Sequence, residues 1–185
     1  MGWANEKGLE VEQDQVDNII IRKPATPGME DRQTVVLQSH VDMVCQKNND
    51  TDFDFMTEGI KMYVDGDWVR AKGTTLGADN GIGVASIMAI LESSDIAHPQ
   101  LEALFTIDEE TGMTGALNLS DTILTGKILL NLDTEEDDEI CVGCAGGCGC
   151  GGCGFGLCGF GACGLCACGA CGLCACACGV CVCVC

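Results

Sequence analysis

Apolar residues in the first part of the chain alternate, then cluster, then recur at longer intervals, and each change of period marks an element. Leu9 and Val11 alternate with polar neighbours, Asp17-Asn18 interrupts the run, Ile19 to Arg22 resumes it, and Pro24 and Pro27-Gly28 end it. That pattern predicts a strand, a turn and a second strand. "TVVLQSH", Thr34 to His40, is a β-branched run of the kind that fills a buried strand. "NNDTDFDFMTEG" is polar and predicts a loop, and "IKMYVDGDWVRAKG" predicts a hairpin with Asp65-Gly66 at its turn. In "GADNGIGVASIMAILESSD" the spacing lengthens to that of a helix. Asp79 or Asn80 is placed to cap it, and Ile82, Ala85, Met88, Ala89 and Leu91 or Glu92 form an approximate stripe. "LEALFTID", Leu101 to Asp108, alternates as a strand does. "TGALNLSDTI" predicts a short helix and "KILLNLD", Lys127 to Asp133, a last apolar strand. Strands alternating with helices predict an α/β fold, a layered and largely buried sheet with flanking helices.

Charge removes whole classes of partner. Among 185 residues, Asp and Glu number 28 against 9 Lys and Arg, a formal net charge of −19. Phosphate backbones and anionic membrane surfaces repel such a chain, so nucleic acid and membrane are not expected partners. The amino-terminal "MGWANEKGLEVEQDQ" has neither the basic nor the apolar region of a secretory signal, and Glu6 stands where a myristoylation motif wants Ser or Thr. No apolar run up to residue 147 approaches transmembrane length, so the cytoplasm is the expected location.

Composition breaks sharply near residue 147. Of 17 cysteines, Cys45 alone lies before residue 141, and from Cys148 onward the chain uses only Cys, Gly, Ala, Leu, Val and Phe. The C-x-C and C-x-x-C spacings of this tail could bind soft metals as thiolates, which would make the chain a non-enzymatic metal-binding protein. A disulfide framework is a second reading, with nothing to suggest an oxidising compartment. Thiolate clusters normally carry lysine and serine to stay soluble, and this tail has neither. It therefore reads as low-complexity sequence from an erroneous or shifted frame, artefactual or disordered, with the domain proper in residues 1–147.

Three predicted strands end in groups that can bind a metal: the first at His40, the second at Glu109-Glu110, the third at Asp133. Asp42 stands two residues beyond His40, and Asp79 lies at a helix start. Singly, each has an ordinary reading as a solvated strand or loop end. Together they fall where open α/β sheets bind ligands, at the carboxyl ends of the strands. One imidazole and several carboxylates there would suit a pair of divalent cations with N and O ligands, zinc foremost. His98, in "IAHPQLE", matches no ligand motif and is expected at the surface.

"LQSHVDMV", "KNNDTDFDF", "GTTLGADNGIGVA", "DEETGMTGA" and "LNLDTEE…GCAGG" together resemble the aminoacyl-histidine dipeptidase family, within the co-catalytic zinc peptidase superfamily. The likeness runs from about Gly8 to Gly147. It implies a zinc-dependent exopeptidase catalytic domain and two divalent ions, most commonly Zn2+, with Mn2+ or Co2+ as alternatives. By resemblance His40 and Asp133 are ligands of one metal, Asp79 bridges both, and Glu110 binds the other. Asp42 orients His40, and Glu109 is the general base that takes a proton from water and delivers it to the leaving amine. A cis peptide bond at Asp79-Asn80 is implied as well. The substrate implied is a dipeptide, Xaa-His or carnosine-like; the alternative is another peptidase or an N-acyl amino acid deacylase of the same superfamily. The family pattern also has a further metal-binding histidine and a lid domain, through which a homodimer could form, and neither is found in this sequence. The 185-residue chain by itself is therefore expected to be inactive or nearly so.

Overall fold

The structure, a computed structural model, describes residues 1–133 and the backbone of residues 173–177 and 180–184. A short helix α1 (Gly2–Glu6) leads into the antiparallel pair β1 (Glu10–Gln13) and β2 (Ile19–Lys23), followed by β3 (Val35–His40). A separate hairpin, β4 (Met62–Asp65) and β5 (Trp68–Ala71), precedes helix α2 (Ala78–Glu92). Strand β6 (Leu101–Thr106), helix α3 (Thr114–Leu117) and strand β7 (Ile128–Asn131) follow. The backbone segments β8 (Leu173–Ala177) and β9 (Val180–Val184) complete a seven-stranded sheet of order β1-β2-β6-β3-β7-β9-β8. The expected boundary at residues 147 and 148 lies outside the described residues.

At the sheet's centre β6, β3 and β7 run parallel, with Leu37 opposite Ala103 on one side and Leu130 on the other. Parallel strands need both faces covered, which explains why all six residues of β6 are buried. On one face Ile21, Leu37, Ala103 and Phe105 pack with Ile87 and Leu91 of α2 and Ala4 of α1. On the other, Ile20, Val36 and Leu104 pack with Ala116 of α3, and Leu119, Ile123 and Leu124 close over them.

The stripe that anchors α2 is not the predicted one. Gly83, Ile87 and Leu91, four residues apart, are buried, whereas Ile82 is 68% exposed and Ala85 and Ala89 face outward. Asp79 and Asn80 are non-helical, and neither caps the helix with its side chain. The hairpin turn is displaced by one residue: Asp65 pairs with Trp68, leaving Gly66-Asp67 as the loop, with Gly66 at φ +61. Glycine at the first loop position is what a two-residue turn of this kind selects. Pairing puts Met62, Val64, Val69 and Ala71 on one face of the hairpin, and among the described residues Met62, Val64 and Val69 remain largely exposed.

Alternation in "LEALFT" would put Glu102 in water, yet its side chain is fully buried beneath the segment that enters β7. It accepts hydrogen bonds from the Thr125 and Gly126 amides at 2.9 Å and from Thr125 Oγ1 at 2.8 Å, with Arg22 Nε at 3.7 Å. Glu102→Ala strands these donors, and the cost expected for breaking a buried charged network is about 3–5 kcal/mol. Denaturant unfolding measures it; a loss below about 1 kcal/mol would mean water replaces the carboxylate.

Candidate metal centre

The parallel register brings the carboxyl ends of β3, β6 and β7 level, His40 opposite Thr106 and Gln38 opposite Asn131, and the chain beyond each end turns into one cluster. Beneath it lies a buried polar layer in which Gln38 donates to Thr106 Oγ1 at 3.1 Å and accepts from Asn131. The His40 imidazole is 2% exposed. Its Nε2 lies 3.1 Å from Asp79 Oδ1 and 3.7 Å from Asp133 Oδ1. Ligand atoms of His40, Asp79 and Asp133 all fall within 4.8 Å of one another, and so do those of His40, Glu109 and Glu110. All the carboxylates picked out in the sequence therefore gather around one imidazole. The peptide bond between Asp79 and Asn80 is cis, as the resemblance implies.

Asp42 does more than face the ring. Its Oδ1 is 3.3 Å from His40 Nδ1, and its backbone carbonyl is 3.1 Å from the same nitrogen. Its two carboxylate oxygens also accept the amides of Glu109 at 3.1 Å and Glu110 at 3.0 Å. One side chain thus fixes the imidazole and the backbone of both glutamates. Asp108, at φ +57, accepts from Thr111 and Thr114 and shapes the turn that presents them.

Crowding of like charges sets the electrostatics. Burial raises the Glu109 carboxyl, and Asp133, Glu110 and Asp42 add to it against the opposing pull of His40. Burial and Asp79 raise Glu110. Burial raises Asp133, while Asn80 and His40 favour its charged form. For His40 burial opposes protonation, but Asp133, Asp42, Glu109 and the bond to Asp79 outweigh it, and its pKa is raised. Every one of these groups keeps its proton to higher pH folded than unfolded, so stability falls as pH rises through the raised values. Asp54, Glu58, Asp95 and Asp108 are lowered and act oppositely, at pH below the ordinary carboxylate range. The chelator-treated chain is therefore expected to melt higher at about pH 5 than at about pH 8, and divalent cation to narrow the gap. Thermal scans at both values check this; a higher midpoint at the alkaline value would contradict it.

A histidine nitrogen and carboxylate oxygens facing each other are the donor set of Zn2+, Mn2+ or Co2+, and a cation there relieves the repulsion just described. The residues fit such an ion. Met43, Val44, Thr75, Leu76, Gly77 and Ala78 line an open cavity of about 320 Å³ beside Asp79 and Glu110, large enough for a small organic group.

His98 is not at the surface. It is 4% exposed, with Nδ1 2.7 Å from the Pro99 carbonyl and its backbone joined to Thr26. It precedes the amino end of β6, at the end of the strand away from the cluster, and its predicted exposure does not hold. Burial there follows from the loop folding back onto the segment after β2, which no local pattern announces.

No family model matches the chain. The cytosol non-specific dipeptidase of Escherichia coli (strain K12) is 59% identical over 147 residues, which cover 80% of this chain and 30% of that protein. The crystal structure of aminoacylhistidine dipeptidase from Vibrio alginolyticus superimposes with a TM-score of 0.75 at 57% identity, covering 77% of this chain and 29% of that one. Aminopeptidase PepT from Bacillus cereus ATCC 10987 matches with a TM-score of 0.60 at 29% identity, covering 74% of this chain and 37% of that one. The chain thus spans about 30% of the length of the curated dipeptidase it matches. Among the described residues no helix is long and apolar enough to cross a membrane. In sequence and in fold the chain is similar to one part, about 30%, of the cytosol non-specific dipeptidase and the aminoacylhistidine dipeptidase.

Proposed function

We propose that this chain carries most of the metal site of a hydrolase acting on dipeptides of the Xaa-His class. The observation that carries the reading is the convergence of Asp79 and Asp133 on His40 Nε2, in a stretch that is 59% identical to a dipeptidase. His40 and Asp133 would hold one divalent ion, Asp79 would be shared, and Glu110 would hold a second, with Zn2+ the best fit. Bound there, such ions polarise a carbonyl oxygen and make water acidic enough to lose a proton near neutral pH.

The chain's own residues then divide the work. Asp42 holds the imidazole through Nδ1, so that Nε2 faces Asp79 and Asp133. Glu109, raised by burial, is placed to accept a proton from water and return it to the leaving amine. Residues 1–147 are taken as the catalytic-domain portion and the tail as no part of it; a cytosolic setting and a lid-mediated dimer belong to the same proposal for the longer relatives.

A chimera tests this: residues 1–133 replace the matching stretch of the Escherichia coli relative. Hydrolysis of carnosine-like dipeptides in preference to N-acyl amino acids is expected, together with little or no turnover by the 185-residue chain alone. Preference of the chimera for acyl amino acids would overturn the substrate class. Turnover by the unfused chain approaching that of the relative would overturn the division of the site between segments.

A further inference from the structure

Alternation along a strand sends neighbouring side chains to opposite faces, so Ser39 points away from His40 and toward α2. Its hydroxyl donates to the side-chain oxygen of Asn80 and lies 3.3 Å from the Asn80 carbonyl. Asn80 Nδ2 in turn donates to the carbonyl of Leu132 at 2.7 Å. Ser39 is fully buried and Asn80 is 4% exposed, so water does not substitute readily for either partner. The three residues are the chain neighbours of three proposed ligands: Ser39 precedes His40, Asn80 follows Asp79, and Leu132 precedes Asp133.

We propose that Asn80 is the positioning residue of the metal site, its carboxamide fixing the end of β3, the entry to α2 and the end of β7 relative to one another. The spacing of His40, Asp79 and Asp133 follows from that junction. Asn80 acts through its neighbours. The inference rests on the metal-site reading above and adds the residue that holds the site's parts in register.

Gly83 packs against the same junction. A Cβ at this position would meet the Leu132 carbonyl and Ser39 Oγ at 2.6 Å each. Alanine inside a helix is ordinarily more favourable than glycine. At Gly83 it forces the junction apart instead, because one of the atoms it meets is backbone.

The experiment is Co2+ titration of the full chain after alkylation of its thiols, following affinity and the visible ligand-field spectrum, with far-UV circular dichroism as a check on folding. Asn80→Ala is expected to weaken Co2+ binding about 10–100-fold, the range for groups that orient metal ligands, and to alter the spectrum. Ser39→Ala and Gly83→Ala are expected to change both in the same direction by smaller factors. If Asn80→Ala does not fold, these two decide. Parent-like affinity and spectrum in folded Asn80→Ala, or in both Ser39→Ala and Gly83→Ala, would overturn the role of Asn80 and leave the metal site standing. Failure of the parent chain to bind Co2+ would overturn the metal-site reading and this inference together.

Discussion

Glu109→Gln is expected to lower turnover by the chimeric enzyme about 10²- to 10⁴-fold, the contribution typical of a positioned general base, while leaving its metal content unchanged. Glutamine keeps the shape and cannot accept the proton. The environment explains why this carboxyl suits the task. Burial and the neighbouring Asp133, Glu110 and Asp42 push its pKa upward, toward the operating pH at which a base is most effective. The substitution also removes one charge from a crowded cluster, so the variant without metal should melt no lower than the parent. Retention of more than about a tenth of the turnover would exclude Glu109 as the base.

Asp42→Ala is expected to weaken Co2+ binding by the alkylated chain about 100-fold, the upper end of what losing a ligand's orienting partner costs. The reason is its double attachment. A residue that only oriented His40 would affect one ligand, but the Asp42 carboxylate also holds the Glu109 and Glu110 amides. Asp42→Asn should fall between parent and alanine, since a carboxamide can accept from one of those amides and presents a donor to the other. Faster hydrogen exchange at the two glutamate amides would accompany the loss. Binding within about threefold of the parent in Asp42→Ala would show that the backbone turn holds itself.

What the sequence disclosed, and what it hid, follows the range of the interactions. Strands announced by β-branched runs, such as Val35–His40, lie where local pattern places them, because Val35, Val36 and Leu37 suit a strand covered on both faces. That His40, Asp42, Asp79, Glu109, Glu110 and Asp133 come together in space was also legible, since strand ends and helix starts meet along one edge of a layered sheet. Polar residues buried by distant partners were not. Asn80, beside glycines, looks like a helix cap, and its contacts with Ser39 and Leu132 come from two other strands' ends. Glu102 looks solvated until the Thr125 and Gly126 amides arrive from beyond α3. The spacing of Gly83, Ile87 and Leu91 carried the stripe of α2, but glycine does not register as an apolar position although its bareness lets the helix approach. A glycine four residues before an isoleucine and eight before a leucine, three residues after Asp-Asn, was the available signal.

The strand order has a consequence for synthesis. β6 lies between β2 and β3, and β3 lies between β6 and β7, so the strands that lead into the cluster meet only neighbours remote in the chain. Folds built on such distant contacts close slowly, because a large loop must be gathered before any contact rewards it. A nascent chain that has emerged as far as α2 already displays His40, Asp42 and Asp79, with no β6 on which β3 can be seated. On the proposed metal-site reading, Asp133 is the last member of the cluster to be synthesised, so a cation held by the whole set would favour the assembled sheet over its partly assembled forms.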